Sequence, residues 1–223
     1  MNLLAFDSST PVGSVAVLSG GEVKAELTLS VQRTHSEHLM PAVEEVVAAS
    51  GLNLEQLDAL AVGTGPGSYT GIRIALGTAM GIGYALNLPV VGIPTLDTLA
   101  MAVWPAPGVV VSLLDARRNE VYCGIYRTKP RPPYLIQQEE PAVEKLTSLP
   151  QKVQGEPVTF VGPGALLHQE TLEELFGDRA SIVPSGLAYP QAGRLGLLAE
   201  ARIGDAVSVF ALKPLYLRRP YVK

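Results

Sequence analysis

Two apolar strands, each closed by an aspartate, most constrain what this chain can become: Leu3-Leu4-Ala5-Phe6-Asp7 near its start and Val109 to Asp115 past its middle. The first opens a run of elements that can be followed residue by residue. After Asp7, the turn Pro11-Val12-Gly13 leads to a second strand, Ser14 to Leu18. Ser19-Gly20-Gly21 turns into a third, Glu22 to Leu29, whose polar and apolar residues alternate. A helix follows over Ala42 to Ser50, with Leu39, Val43, Val46 and Val47 on one face and Gly51 as its stop. Pro41 requires that helix to begin near His38 or to kink. Next come a buried strand (Asp58 to Gly63), a glycine-rich turn (Gly65 to Arg73), a helix (Ile74 to Leu86), a strand (Pro89 to Ile93) and a helix (Thr95 to Val103).

The second half repeats this order. Val109 to Asp115 and Glu120 to Arg127 are strands, Tyr134-Leu135-Ile136 is a third, and Val143 to Leu149 supplies a short first helix. Val158 to Val161 is a strand, Gly162-Pro163-Gly164 a turn, Leu166 to Phe176 a helix, Ala180 to Val183 a strand and Gln191 to Arg202 a helix. Trp104-Pro105-Ala106-Pro107-Gly108 marks the junction. The expected domains are therefore 1–104 and 105–223, with the last helix, about 190–203, able to pack back on the first. A β-β-β-α-β-α-β-α unit used twice, with an aspartate ending each first strand, is the ordering of the actin-like ATPase fold. This is the α/β, ribonuclease H-like architecture of actin, sugar kinases and Hsp70.

Charge excludes some functions. With 17% charged and 47% hydrophobic residues, the chain can build a large core and has apolar surface left for another chain to cover. A net charge of −4 argues against a strong nucleic-acid binder, leaving only a local basic patch at Arg218, Arg219 and Lys223. A single cysteine, Cys123, excludes an internal disulfide. The first residues lack the basic stretch of a signal peptide, and the uncharged segment Ile74 to Val91 is broken by Asn87 and Pro89, so no membrane span and a cytoplasmic location are expected.

The turn Gly65-Pro66-Gly67-Ser68-Tyr69-Thr70-Gly71-Ile72-Arg73 has the strand-turn-helix layout of an anion site. It lacks the Gly-Lys-Ser/Thr ending of a Walker loop and the small third position of a dinucleotide fingerprint. Asp7, Ser9 and Thr10 are candidates for phosphate contact in the first hairpin, but Pro11 and Val12 occupy the place of an open glycine turn. The second hairpin, Asp115-Ala116-Arg117-Arg118-Asn119, has no glycine, so only arginine side chains are left to pair with an anion. Gly162 and Gly164 read either as a nucleotide-flanking loop or as a turn. His35 and His38 share a helix face, but one neighbouring carboxylate, Glu37, leaves them short of the three ligands a catalytic metal needs. Ser68 lacks the elbow of a serine hydrolase, and Cys123 lies in a strand-like alternation with nothing to activate it. No catalytic residue, cofactor or metal is assigned.

Gly77, Gly81 and Ala85 recur every fourth residue along the helix that follows the glycine turn. Each glycine there costs about 1 kcal/mol of helix propensity relative to alanine, which close packing against another backbone offsets.

The segments Leu4-Ala5-Phe6-Asp7-Ser8-Ser9, Thr34-His35-Ser36-Glu37-His38-Leu39-Met40-Pro41, Gly65 to Arg73, Pro94-Thr95-Leu96 and Pro214-Leu215-Tyr216-Leu217-Arg218 occur in this order along the whole chain. Together they closely resemble the bacterial TsaB (YeaZ) family. The resemblance implies an actin-like relative of TsaD that has no active site of its own. It implies a scaffold for TsaD in making threonylcarbamoyladenosine beside the anticodon of tRNAs that read codons starting with A. It further implies a TsaE-like ATPase as third partner, contact with tRNA only through the complex, and a homodimer when alone. Under this reading His35, His38, Leu39, Val43, Val46, Tyr69, Ile72, Arg73, Gly77, Met80 and Gly81 form a partner interface, and Asp7, Ser9, Thr10, Asp115, Gly162 and Gly164 a vestigial nucleotide site. The alternatives are a nucleotide-dependent phosphotransferase or ATPase built on Asp7 and Asp115, and a metallopeptidase using His35 and His38.

Overall fold

A computed structural model describes residues 1–30 and 35–218, with His35 described by its backbone alone. Thr34, Arg219 and Lys223, singled out above, lie outside the described residues. The strands are β1 Asn2–Asp7, β2 Val12–Ser19, β3 Glu22–Ser30, β4 Ala59–Gly63, β5 Val90–Ile93, β6 Val109–Asp115, β7 Glu120–Thr128, β8 Leu135–Lys145, β9 Val158–Val161 and β10 Ala180–Ile182. The helices are α1 His35–Ser50, α2 Tyr69–Leu86, α3 Thr95–Ala100, α4 Leu149–Lys152, α5 Pro163–Leu167, α6 Gln169–Phe176 and α7 Ala192–Ala201.

The strands form two five-stranded sheets of the same order, β3-β2-β1-β4-β5 and β8-β7-β6-β9-β10. In each, the first three strands pair antiparallel and the last two are added parallel. The duplicated β-β-β-α-β-α-β-α order read from the sequence is therefore the order of the molecule. Central strands β1 and β4 are buried along nearly their whole length, as unbroken apolar runs must be when both sheet faces are covered. Edge strand β3 alternates instead and carries the exposed charges of Glu22 and Lys24, which protect an exposed edge from pairing with other chains.

The chain divides into two compact units. The first comprises Met1–Thr95 and Pro190–Leu215; the second runs over Leu96–Tyr189 and resumes at Tyr216. In the first unit α1 packs on β2 and β3, and α2 packs on β4. Leu4, Phe6, Val15, Val17, Leu60 and Val62 meet Leu39, Val43, Val46, Ile72, Ala75 and Ala79 in one core. α7 covers β1 and β2 with Gly193 and Gly196, where an added Cβ would lie 2.9 Å from Val23 and 2.2 Å from Leu18. Its first amides are held by Ser14 Oγ (3.0 Å) and Glu26 Oε1 (2.9 Å). The unit boundary falls after Thr95, the first residue of α3, so the Trp104–Gly108 proline run lies inside the second unit. There Ala106 exchanges hydrogen bonds with Thr128 Oγ1, and Trp104 packs edge-on against Tyr134.

Local differences from the sequence reading have physical causes. β8 does not stop at Ile136. It continues to Lys145 by pairing with β7, and Glu140 and Pro141 bulge out between the pairs Ile125–Glu139 and Cys123–Ala142. The expected helix over Val143–Leu149 is replaced by the end of that strand, a 3₁₀ turn at Leu146–Ser148 and the single turn α4. The expected Leu166–Phe176 helix is two helices, broken at His168. α1 starts upstream of Pro41 and runs through it; Pro41 is exposed, where the Glu37 carbonyl it leaves without a helical partner can be hydrated.

Candidate functional site

Asp7 ends β1 fully buried. Its Oδ1 accepts the Ser9 amide at 2.6 Å, and its Oδ2 accepts the Thr95 hydroxyl at 3.1 Å. The Ser9 hydroxyl lies 2.9 Å from that of Thr95, and Thr10 Oγ1 donates to the Val12 carbonyl at 2.8 Å. The glycine turn presses down on this hairpin. An added Cβ would meet Asp7 Oδ2 at 2.2 Å from Gly63, the Ser9 carbonyl oxygen at 2.3 Å from Gly67, and the Ser8 carbonyl oxygen at 2.0 Å from Gly71. Two amides of the turn that could grip a phosphate are used internally. Ser68 N donates to the Ser9 carbonyl and Gly71 N to Ser68 Oγ, while Ser8 Oγ donates to the Gly71 carbonyl. The glycines therefore seat a helix on a strand end. Asp7→Ala is expected to lower stability by about 1–3 kcal/mol, because it strands the buried Ser9 amide and leaves the Thr95 hydroxyl only its contact with Ser9 Oγ; urea denaturation of the purified chain measures this.

The second unit repeats the arrangement with different chemistry. Added Cβ atoms on Gly162 and Gly164 would meet the Leu113 backbone at 2.2 and 2.8 Å, so these glycines let α5 approach the end of β6. Asp115, unlike Asp7, is exposed, and its Oδ1 accepts the Arg117 amide at 2.7 Å. Arg117, Arg118 and Asn119 follow in left-handed conformation, with φ of 63°, 59° and 59°. Glycine is at ease there and asparagine tolerates it, whereas an arginine costs about 1–2 kcal/mol. Arg218 braces the hairpin, donating to the Ala116 carbonyl at 2.6 Å and to the Glu120 carboxylate.

The expected interface residues separate into two groups. Leu39, Val43, Val46 and Ile72 are buried in the first unit's own core and cannot themselves touch a partner. The reason is periodicity: an apolar helical stripe faces whatever apolar surface is nearest, here the sheet. Tyr69, Arg73, Gly77, Met80 and Gly81 form the opposite, exposed stripe of α2, with the Arg73 guanidinium 4.0 Å from the centre of the Tyr69 ring. Among the described residues nothing lies within 4 Å of a Cβ built on Gly77 or Gly81, so no packing within the described chain explains either glycine. His38 is exposed on α1, as is Met40; the side chain of His35 lies outside the described residues. Sequence reasoning missed Tyr84, 73% exposed, which continues the stripe and packs edge-on against Phe210, 69% exposed, with ring centres 5.8 Å apart. Its place four residues after Met80 was the available signal.

Burial pushes the Cys123 thiol up to about 12, with Glu144 and Glu139 adding to the effect, so it carries no thiolate near neutral pH. Among the described residues no three His, Cys, Asp or Glu side chains gather as a metal site, and no helix is long and apolar enough to cross a membrane.

Residues 25–223 match the family model of TsaD, tRNA N6-adenosine threonylcarbamoyltransferase. The chain is 35% identical over 228 residues to the tRNA threonylcarbamoyladenosine biosynthesis protein TsaB of Haemophilus influenzae, covering 98% of this chain and 94% of the relative. It is 31% identical over 223 residues to the protein of that name from Bacillus subtilis, with the same coverage, 98% and 94%. The structure of YeaZ from Pseudomonas aeruginosa superposes with a TM-score of 0.83 at 30% identity, covering 97% of this chain and 99% of that one. At the level of fold alone, the ROK hexokinase of Thermus thermophilus superposes at 0.52 with 13% identity, over 92% of this chain and 99% of that one. With its duplicated sheets in the actin-like order and these relatives matched along nearly its whole length, the chain belongs to the TsaB (YeaZ) family.

Proposed function

We propose that this chain is the non-catalytic partner of a TsaD-like protein in forming N6-threonylcarbamoyladenosine on tRNA, and that it docks through the exposed face of α1 and α2. The observation that carries the reading is the outer stripe of α2. Gly77 and Gly81 lie open between Arg73, Met80 and Tyr84, so a partner helix can approach the backbone closely. The names borne by the relatives from Haemophilus influenzae and Bacillus subtilis supply the pathway. The interface thus comprises Tyr69, Arg73, Gly77, Met80 and Gly81 on α2 with His38 on α1. The same face serves a homodimer when the TsaD-like protein is absent, a TsaE-like ATPase joins the pair, tRNA is met only in the complex, and the assembly works in the cytoplasm. The enclosure of Asp7 weighs against the phosphotransferase reading, since a carboxylate held by Ser9 and Thr95 is not presented to a nucleotide's metal.

Mixing the chain with a purified TsaD homologue and following the mixture by size exclusion with light scattering tests this. A stoichiometric complex at low micromolar concentration is expected, and separate elution at that concentration would refute the reading. Calorimetry of the chain alone with ATP and magnesium is expected to give no heat of binding.

A further inference from the structure

The exposed stripe of α2 does not end with its open glycines. Tyr69, Arg73, Gly77, Met80 and Tyr84 follow one another every third or fourth residue and run about 22 Å along one face of the helix. Glycines let a partner come close but supply almost no side-chain area, and a stable interface buries about 800 Å² on each side. That area has to come from large apolar groups on the same face. Tyr69 and Met80 are already more than half covered, whereas Tyr84 and Phe210 stand mostly bare to water. Covering the exposed part of two such rings removes about 200–350 Å² from water.

Phe210 is held beside Tyr84 by the segment that follows α7. Val207 exchanges two backbone hydrogen bonds with Val90 of β5, both at 2.9 Å. In the turn 208–211, the Ala211 amide donates to the Ser208 carbonyl at 2.8 Å. Val209 is buried against Gly83, where an added Cβ would lie 2.4 Å from Val209 Cγ1. Gly83, unlike Gly77 and Gly81, is therefore explained by packing within the chain: it seats this turn on α2. With Val209 plugged inward, Phe210 is presented outward with its ring edge-on to Tyr84. An aromatic pair fixed by its backbone and left exposed has the form of a binding hot spot, ordered before its partner arrives.

We propose that Tyr84 and Phe210 together form the main apolar anchor of the docking face and fill an apolar pocket on the TsaD-like partner. This rests on the function proposed above, and it adds to the interface a turn that lies outside α1 and α2. The stripe itself carries the argument from one to the other. A partner helix that closes on Gly77 and Gly81 reaches the pair within one further turn of α2.

The test titrates a purified TsaD homologue with the full chain by calorimetry. Tyr84→Ser and Phe210→Ser are each expected to weaken the complex at least about tenfold. At concentrations where the chain is monomeric, both variants should keep the parent's midpoint in urea, because the side chains they remove are exposed. Leu167→Ser removes an exposed apolar side chain from the second unit and should keep the parent affinity. In the unmutated complex both rings are expected to lose their reactivity toward hydroxyl radicals, a readout that needs no substitution. Parent affinity in well-folded Ser variants overturns the proposal, as do rings that stay reactive in a fully formed complex. Ser variants that abolish self-association of the chain yet keep full affinity for the TsaD homologue assign the pair to a second copy, and overturn it too. Each of these three results leaves the parent reading standing, since the complex has formed. Absence of any complex in size exclusion overturns the parent reading, and this one with it.

Discussion

Gly71→Ala is expected to lower the stability of this chain by about 3 kcal/mol, although alanine is the better helix former. Gly71 lies in the first turn of α2, where its missing Cβ leaves room for the end of β1; the added carbon would sit 2.0 Å from the Ser8 carbonyl oxygen. That oxygen belongs to backbone at the end of a central strand and cannot rotate away as a side chain would. The same contact is tied from the other side, since Ser8 Oγ donates to the Gly71 carbonyl at 2.8 Å and Ser9 accepts the Ser68 amide at 2.7 Å. Relief therefore requires α2 to lift from β1, opening the core around Phe6, Val62, Ile72 and Ala75. Urea unfolding with an unchanged slope and a lowered midpoint is the expected result. Gly77→Ala provides the internal control, because no described residue stands within 4 Å of its Cβ and a gain of about 1 kcal/mol is expected there. A neutral Gly71→Ala would mean that the strand end yields, and that the tight seat of α2 is not what the glycine turn supplies.

The fold was legible because its strongest signals are local and repeated. Unbroken apolar strands, each ending in aspartate, recur with the same followers, and the strand order follows once the halves are aligned. β8 was not legible past Ile136, because Gln137, Gln138, Glu139 and Glu140 show no apolar alternation and only pairing with β7 holds them extended. The closed first hairpin was half legible. Pro11 and Val12 advertise a turn unsuited to phosphate, but the hydroxyl that satisfies Asp7 comes from Thr95, a partner that only the parallel addition of β5 brings near. Leu39, Val43 and Val46 are the residues periodicity finds, and periodicity finds the core; an interface must be sought among the residues it leaves over. The left-handed turn at Arg117–Asn119 had no signal at all, since such turns are recognised by glycines this one does not contain.

Those leftover residues carry the second large effect. Gly77→Leu with Gly81→Leu is expected to leave the isolated chain, at concentrations where it is monomeric, as stable as the parent or slightly more so, and to weaken its association with the TsaD homologue at least about 100-fold, or about 2.7 kcal/mol. The two halves of this expectation have separate causes. Both positions are exposed, and no described residue lies within 4 Å of a Cβ built there, so leucine gains helix propensity at little cost. At a helix-to-helix contact the same side chains would hold the partner's backbone away and undo the packing that a bare helix surface permits. Far-ultraviolet circular dichroism and urea unfolding check the first half, and titration calorimetry with the TsaD homologue checks the second. The pairing of outcomes is what makes the test sharp. A loss of binding accompanied by a loss of fold would say only that the helix was damaged. Tight binding by a well-folded double-leucine chain would remove the α2 stripe from the interface and move the search to the exposed Tyr84–Phe210 pair at its far end.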